Sequence, residues 1–130
     1  MSFTSQTLVE KPWGHEKIWA NCSNYIGKIL YIKKGHRLSL QFHKEKEESI
    51  MVLEGTMILH HRLPTSNLHG PGSMQRTEMS EGDCFHIKPG LTHRFEAVDS
   101  DVTILEVSTT QLDDVVRLDD DYGRDKRENA

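Results

Sequence analysis

A chain of 130 residues with a net charge of -4 and a sequence pI of about 6.0 has room for one domain and one modest core, and it lacks the strongly basic balance of a nucleic-acid binder. Apolar residues are 35% and charged residues 28% of the chain, the balance of a soluble globular domain, and no stretch approaches the roughly 18–20 apolar residues of a membrane span. The first ten residues combine neither a basic start nor an apolar run, so no secretory signal is expected and a cytoplasmic setting is.

Residues 1–10 are polar and expected to be loose, and Lys11-Pro12-Trp13-Gly14 forms a turn-like entry. Short runs rich in β-branched and aromatic residues then alternate with Gly, Asn, Asp and Pro. They predict strands over 15–20, 25–32, 38–43, 48–53, 56–61, 75–79, 83–87, 93–97 and 102–109. Long helical periodicity is absent. Eight or nine short strands predict an all-β sandwich or barrel over residues 11–118. Residues 63–73 hold two Pro and two Gly and read as a long loop. The acidic stretch 113–121 carries an apolar stripe of Val115, Val116 and Leu118, and residues 119–130 form a charged tail. Cys22 and Cys84, 62 positions apart, make no Cys-x-x-Cys pattern and read as reduced thiols.

The chemistry concentrates in two glycine-bounded segments. Gly35 opens the first, which runs through Gln41, His43 and Glu48 to Gly55; Gly82 opens the second, which runs through Gly90 to His93. In a strand, residues two apart share a face, so Gln41 and His43 point one way and Leu38, Leu40 and Phe42 the other. Glu48 begins the return strand after a charged turn, and His93 starts a separate strand after Pro89-Gly90. Two imidazoles, one carboxylate and one amide oxygen make a four-ligand set for a single divalent ion, with room for water or substrate. Zinc is the first choice; manganese, iron, cobalt and nickel suit the same donors. The apolar row Leu38, Leu40, Phe42 then needs cover from a second sheet, an N-terminal strand or a partner subunit, and a homodimer is expected.

Both segments resemble the two motifs of the cupin superfamily, whose fold is a small double-stranded β-helix or jelly-roll barrel. Gln41 stands where the family usually has its first His, and Lys88 where it usually has Pro. Within cupins, Gly35-His36-Arg37-Leu38-Ser39-Leu40-Gln41-Phe42-His43 resembles the type II mannose-6-phosphate isomerases. Lys11-Pro12-Trp13-Gly14, Ile104-Leu105-Glu106-Val107, and Val116-Arg117 with Asp120-Asp121-Tyr122-Gly123-Arg124 extend the likeness over residues 11–124. Ser49-Ile50 follows Glu48 where that branch commonly has His-Trp.

The resemblance implies metal-dependent aldose–ketose isomerisation of a phosphorylated sugar. Such a reaction needs a base, and Glu106, which interrupts an apolar run on the last predicted strand, is the candidate. It also needs a phosphate anchor. Arg37, Arg94, Arg117 and Arg124 offer planar bidentate donors, with Lys28 and Lys88 as further basic groups, and the match around Tyr122 favours Arg117, Arg124 and Tyr122 itself. Two other readings compete. Two His and a carboxylate also serve non-haem metal-dependent oxygenases, which would favour a dry, apolar cavity. A non-catalytic carbohydrate-binding cupin would favour a cavity closed by side chains.

Overall fold

The computed structural model describes residues 2–62 and 74–128. The loop expected over residues 63–73 lies outside them. Two antiparallel sheets face each other. The first holds β1 (Thr7–Lys11), β2 (Gly14–Asn21), β3 (Ile26–Ile32), β10 (Val102–Ser108), β5 (Glu48–Glu54) and β8 (Cys84–Ile87), in that order across the sheet. The second holds β11 (Val116–Asp119), β4 (Leu40–Phe42), β9 (Thr92–Ala97), β6 (Met57–Arg62) and β7 (Gln75–Met79). A short helix, α1 (Arg124–Glu128), follows. The all-β expectation holds, and no helix among the described residues is long and apolar enough to cross a membrane.

Alternation along the strands builds the core. Ile26, Leu30 and Ile32 of β3, Ile50 and Val52 of β5, and Val102 and Ile104 of β10 all point between the sheets and are buried. Met57, Leu59 and Phe95 meet them from the second sheet. Each of these side chains stabilises the fold by roughly 1.5–3 kcal/mol. From β3 to β11 every connection except that from β6 to β7 changes sheet. This crossing puts Glu48 on one wall and Gln41 and His93 on the other.

Glycine makes the crossings tight at two places. Gly90, at φ 88°, turns the chain into β9 while its N–H donates to the carbonyl of His43 at 2.8 Å, which ties the two glycine-bounded segments together. Gly55, at φ 83°, passes so close to the 101 backbone that an added Cβ would lie 2.3 Å from the Asp101 carbonyl oxygen.

Three expectations are corrected. Within residues 1–10, expected to be loose, β1 begins at Thr7 and pairs with β2 over Thr7↔Ile18 to Lys11↔Gly14. The strand expected over 38–43 is only Leu40–Phe42, because the backbone at Arg37 makes an isolated bridge to Glu96 instead. Leu38 therefore turns inward to the core rather than outward with Leu40 and Phe42, which are half-buried. The start of the expected charged tail is folded: Asp119 ends β11, and the buried Asp120 carboxylate accepts two hydrogen bonds from the Arg124 guanidinium, at 2.8 and 3.0 Å.

Candidate metal centre

One ligand atom each from His43, Glu48 and His93 lies within 4.8 Å of the others, and all three residues are buried. The backbone sets the two imidazoles. His43 Nδ1 donates to the carbonyl of Asp114 at 2.6 Å, and His93 Nδ1 donates to the carbonyl of Leu91 at 2.9 Å. A carbonyl can only accept, so each Nδ1 carries a proton, and the neutral form of each ring turns the lone pair of Nε2 the other way. Both Nε2 atoms are buried without a hydrogen-bond partner. They aim at the same oxygen, Glu48 Oε1, at 3.7 Å from His43 and 3.5 Å from His93. A metal ion between them would satisfy both Nε2 lone pairs and the carboxylate oxygen together. Ligands at bond lengths of roughly 2.0–2.2 Å and tetrahedral angles sit about 3.4 Å apart, close to both separations. These residues fit a divalent metal.

Gln41 stands beside this cluster. It is the direct register partner of His93 between β4 and β9, lines the adjoining cavity, and accepts a hydrogen bond from Ser39 Oγ at 3.3 Å. Asp114 braces the segment between His43 and Glu48. Its carboxylate accepts the N–H groups of Lys44, Glu45 and Lys46 at 2.9, 2.7 and 2.8 Å. Against the opposing effect of burial, these donors hold the Asp114 carboxyl below its ordinary range.

The cavity beside the cluster measures about 110 Å³, room for several water-sized groups. Charged side chains from the first sheet, with Lys46 from the turn before β5, cross its wall in alternating sign. Lys46 Nζ lies 3.2 Å from Glu48 Oε2 and 3.4 Å from Glu106 Oε2; Lys28 Nζ lies 3.5 Å from Glu16 Oε1. Glu106 is buried, and burial together with the Glu48 charge pushes its pKa up to about 7 despite Lys46 and Lys28. Burial works against the Lys46 charge, but Glu106 and Glu48 outweigh it and hold its pKa above the ordinary lysine value. Burial also works against Glu48, but His43, His93 and Lys46 hold it well below the usual carboxylate range.

Five cations (Lys11, Lys28, Lys46, Arg117 and Arg124) and four carboxylates (Glu16, Glu48, Glu106 and Asp114) line this cavity, in a chain whose net charge is -4. The cationic end is dense: burial first, then Lys28, Arg117 and Arg124, lowers the pKa of Lys11 against the pull of Glu16.

Of the residues singled out in the sequence, Gln41, His43, Glu48, Glu106, Arg117 and Arg124 line the cavity, and His93 is buried beside it against Glu48. Arg37 and Tyr122 are corrections. The Arg37 guanidinium lies outside the lining and makes two hydrogen bonds to the Asp121 carboxylate, at 2.7 and 2.8 Å. Tyr122 packs against the core and meets His36 Nδ1 through its hydroxyl at 2.7 Å. Lys88 is exposed and also lies outside the lining. Sequence reasoning missed Lys46, read as part of a solvated turn. It also missed Asp114, whose role rests on a contact 70 positions away that no local pattern carries.

Comparison with known proteins agrees with this architecture. The family described as "Mannose-6-phosphate isomerase C-terminal" matches residues 2–120. No curated protein sequence matches the chain. Among solved structures, the capsular polysaccharide assembling protein CapF from Staphylococcus aureus superposes with a TM-score of 0.75 at 16% identity, over 90% of this chain and 32% of its own. A cupin-superfamily sugar phosphate isomerase from Silicibacter pomeroyi gives 0.55 at 23% identity, over 72% of this chain and 59% of its own. KdgF from Halomonas sp. gives 0.67 at 14% identity, over 85% of this chain and 91% of its own. The chain thus spans about a third of the CapF structure, and likenesses at these identities speak for the fold alone. With residues 2–120 matched, the chain belongs to the mannose-6-phosphate isomerase C-terminal family, and its fold is that of the cupins.

Proposed function

We propose that this chain is a metal-dependent sugar-phosphate isomerase that interconverts an aldose phosphate and a ketose phosphate, as the name of its family suggests. One observation carries the reading: two orphaned imidazole nitrogens and one carboxylate oxygen converge beside a buried Glu106 titrating near 7, in a cavity with more cations than carboxylates.

His43, Glu48 and His93 would hold the ion, with Gln41 as fourth ligand. When bound, it supplies Lewis-acid polarisation of the sugar's carbonyl and hydroxyl oxygens. Glu106 takes the proton from the carbon beside the carbonyl and returns it to the former carbonyl carbon, while the hydroxyl proton passes to the former carbonyl oxygen. A carboxyl near 7 suits both halves of that exchange. Lys46 neutralises the charge that Glu106 alternately carries. Arg117 and Arg124, joined by Lys11 and Lys28, anchor the phosphate. The polar lining supports this reading over an oxygenase, and the open volume supports it over a closed binding module.

A homodimer and a cytoplasmic setting complete the proposal. Trp19, Leu53 and Val107 stand exposed on the outer face of the first sheet, an apolar surface a second copy would cover, and a monomeric mass at micromolar concentration would refute it. The free, exposed thiols of Cys22 and Cys84 suit a reducing compartment. A panel of aldose and ketose phosphates assayed with several divalent ions tests the activity. Interconversion of one pair is expected, and turnover of none, with metal bound, would refute it.

A further inference from the structure

Glu48 divides its two oxygens between different partners. Oε1 faces the two imidazole nitrogens, at 3.7 and 3.5 Å, while Oε2 lies 3.2 Å from Lys46 Nζ. Lys46 cannot easily leave. Its side chain is only 7% exposed, and its ammonium is shared with Glu106 Oε2 at 3.4 Å. A chelating Glu48 would bring both oxygens to the metal. That would draw the ammonium toward a second cation or leave it with Glu106 alone, and a buried ammonium stripped of one partner is costly.

We propose that Lys46 is a positioning residue that reserves Glu48 Oε2, so that Glu48 gives the metal a single oxygen. The consequence is a count of open sites. Gln41, His43, His93 and one Glu48 oxygen occupy four positions. On an ion that takes about six ligands, two positions then stay open, enough for both oxygens of a hydroxy-carbonyl unit. A chelating Glu48 would leave one. The inference rests on the metal reading given above and is independent of the isomerase activity.

The test is the metal-loaded structure of the whole chain, with zinc or manganese, as wild type, Lys46→Met and Lys46→Arg. X-ray absorption at the metal edge counts the ligands in parallel. In the wild type and in Lys46→Arg, Glu48 Oε1 alone should lie at a bonding distance of roughly 2.0–2.2 Å. In Lys46→Met both oxygens should bind, a gain of one metal–oxygen contact. Chelation in the wild type overturns the proposal, as does a single Glu48 oxygen in Lys46→Met. If Lys46→Met does not fold, the wild type still decides: a chelating Glu48 refutes the inference, and Oε2 held by Lys46 beside a single bonded oxygen supports it. A wild type that takes up no divalent ion refutes the metal reading itself, and this inference with it.

Discussion

Asp114 holds the backbone on either side of His43's ring: its carbonyl accepts the Nδ1 proton of His43 at 2.6 Å, and its carboxylate caps the N–H of Lys44 at 2.9 Å. Both contacts come from the chain just before β11, far from His43 in sequence. They fix the ring's tautomer and its direction, the task of an outer-shell partner at a metal site. Asp114→Ala removes the carboxylate caps and should weaken metal binding roughly 10–100-fold. Competition with a chelator measures this, and unchanged affinity would show that the turn holds itself.

His43→Ala and His93→Ala should lose the metal altogether, and Gln41→Ala should weaken it. Metal content of the purified variants decides this. In the wild type, chelation should lower thermal stability, because bound metal at about 100 times its Kd stabilises the fold by roughly 2.7 kcal/mol. Full metal content in all three variants would refute the ligand set.

Glu106 makes stability depend on pH in the metal-free protein. Its folded pKa, about 7, lies above its ordinary value of 4.5, so between those values the folded state holds a proton that the unfolded state has released. Stability should therefore fall as pH rises through this window, by on the order of 3 kcal/mol at most. Glu48 has the opposite sign: its contribution is present above its unfolded pKa and is lost as pH falls through its depressed folded value. Denaturant unfolding from about pH 5 to 7 should show a falling trend in wild type that Glu106→Gln flattens. Parallel trends would contradict a buried, raised Glu106.

Arg117→Met and Arg124→Met should raise KM for a phosphorylated sugar. Loss of one charge-assisted contact, about 1.5–3 kcal/mol, corresponds to roughly 10–150-fold. The unphosphorylated sugar is the control. An equal change for both sugars would place these residues in the scaffold.

Gly55→Ala should destabilise the fold by about 1–3 kcal/mol without changing metal affinity. The cause is a backbone at φ 83° and a Cβ 2.3 Å from the Asp101 carbonyl oxygen. A thermal melt of the metal-free protein reads it, and an unchanged midpoint would mean that the 101 turn yields.

Much of this was legible in the sequence because strands expose their pattern locally. Alternation places Glu106 on an inner face, and glycine spacing marks the turns around Glu48 and His93. Alternation fails where the strand does. Leu38 precedes β4, so period two from Gln41 sent it to the wrong side. Lys46 stayed hidden because a charged turn ordinarily faces water, and only its two carboxylate partners, one 60 positions away, make its burial tolerable. Arg37 was read as an anchor from its residue type, and its partner Asp121 arrives from 84 positions away. Long-range pairing of charges is what one sequence does not display.

The most direct test of the central claim is proton NMR of mannose 6-phosphate in D2O with the metal-loaded chain. The expected product is fructose 6-phosphate, labelled with deuterium only in the fraction of turnovers in which Glu106 exchanges its proton with solvent before returning it, with loss of about 10²–10⁴-fold in rate for Glu106→Gln. No conversion with any divalent ion, in protein shown to hold that ion, would contradict it.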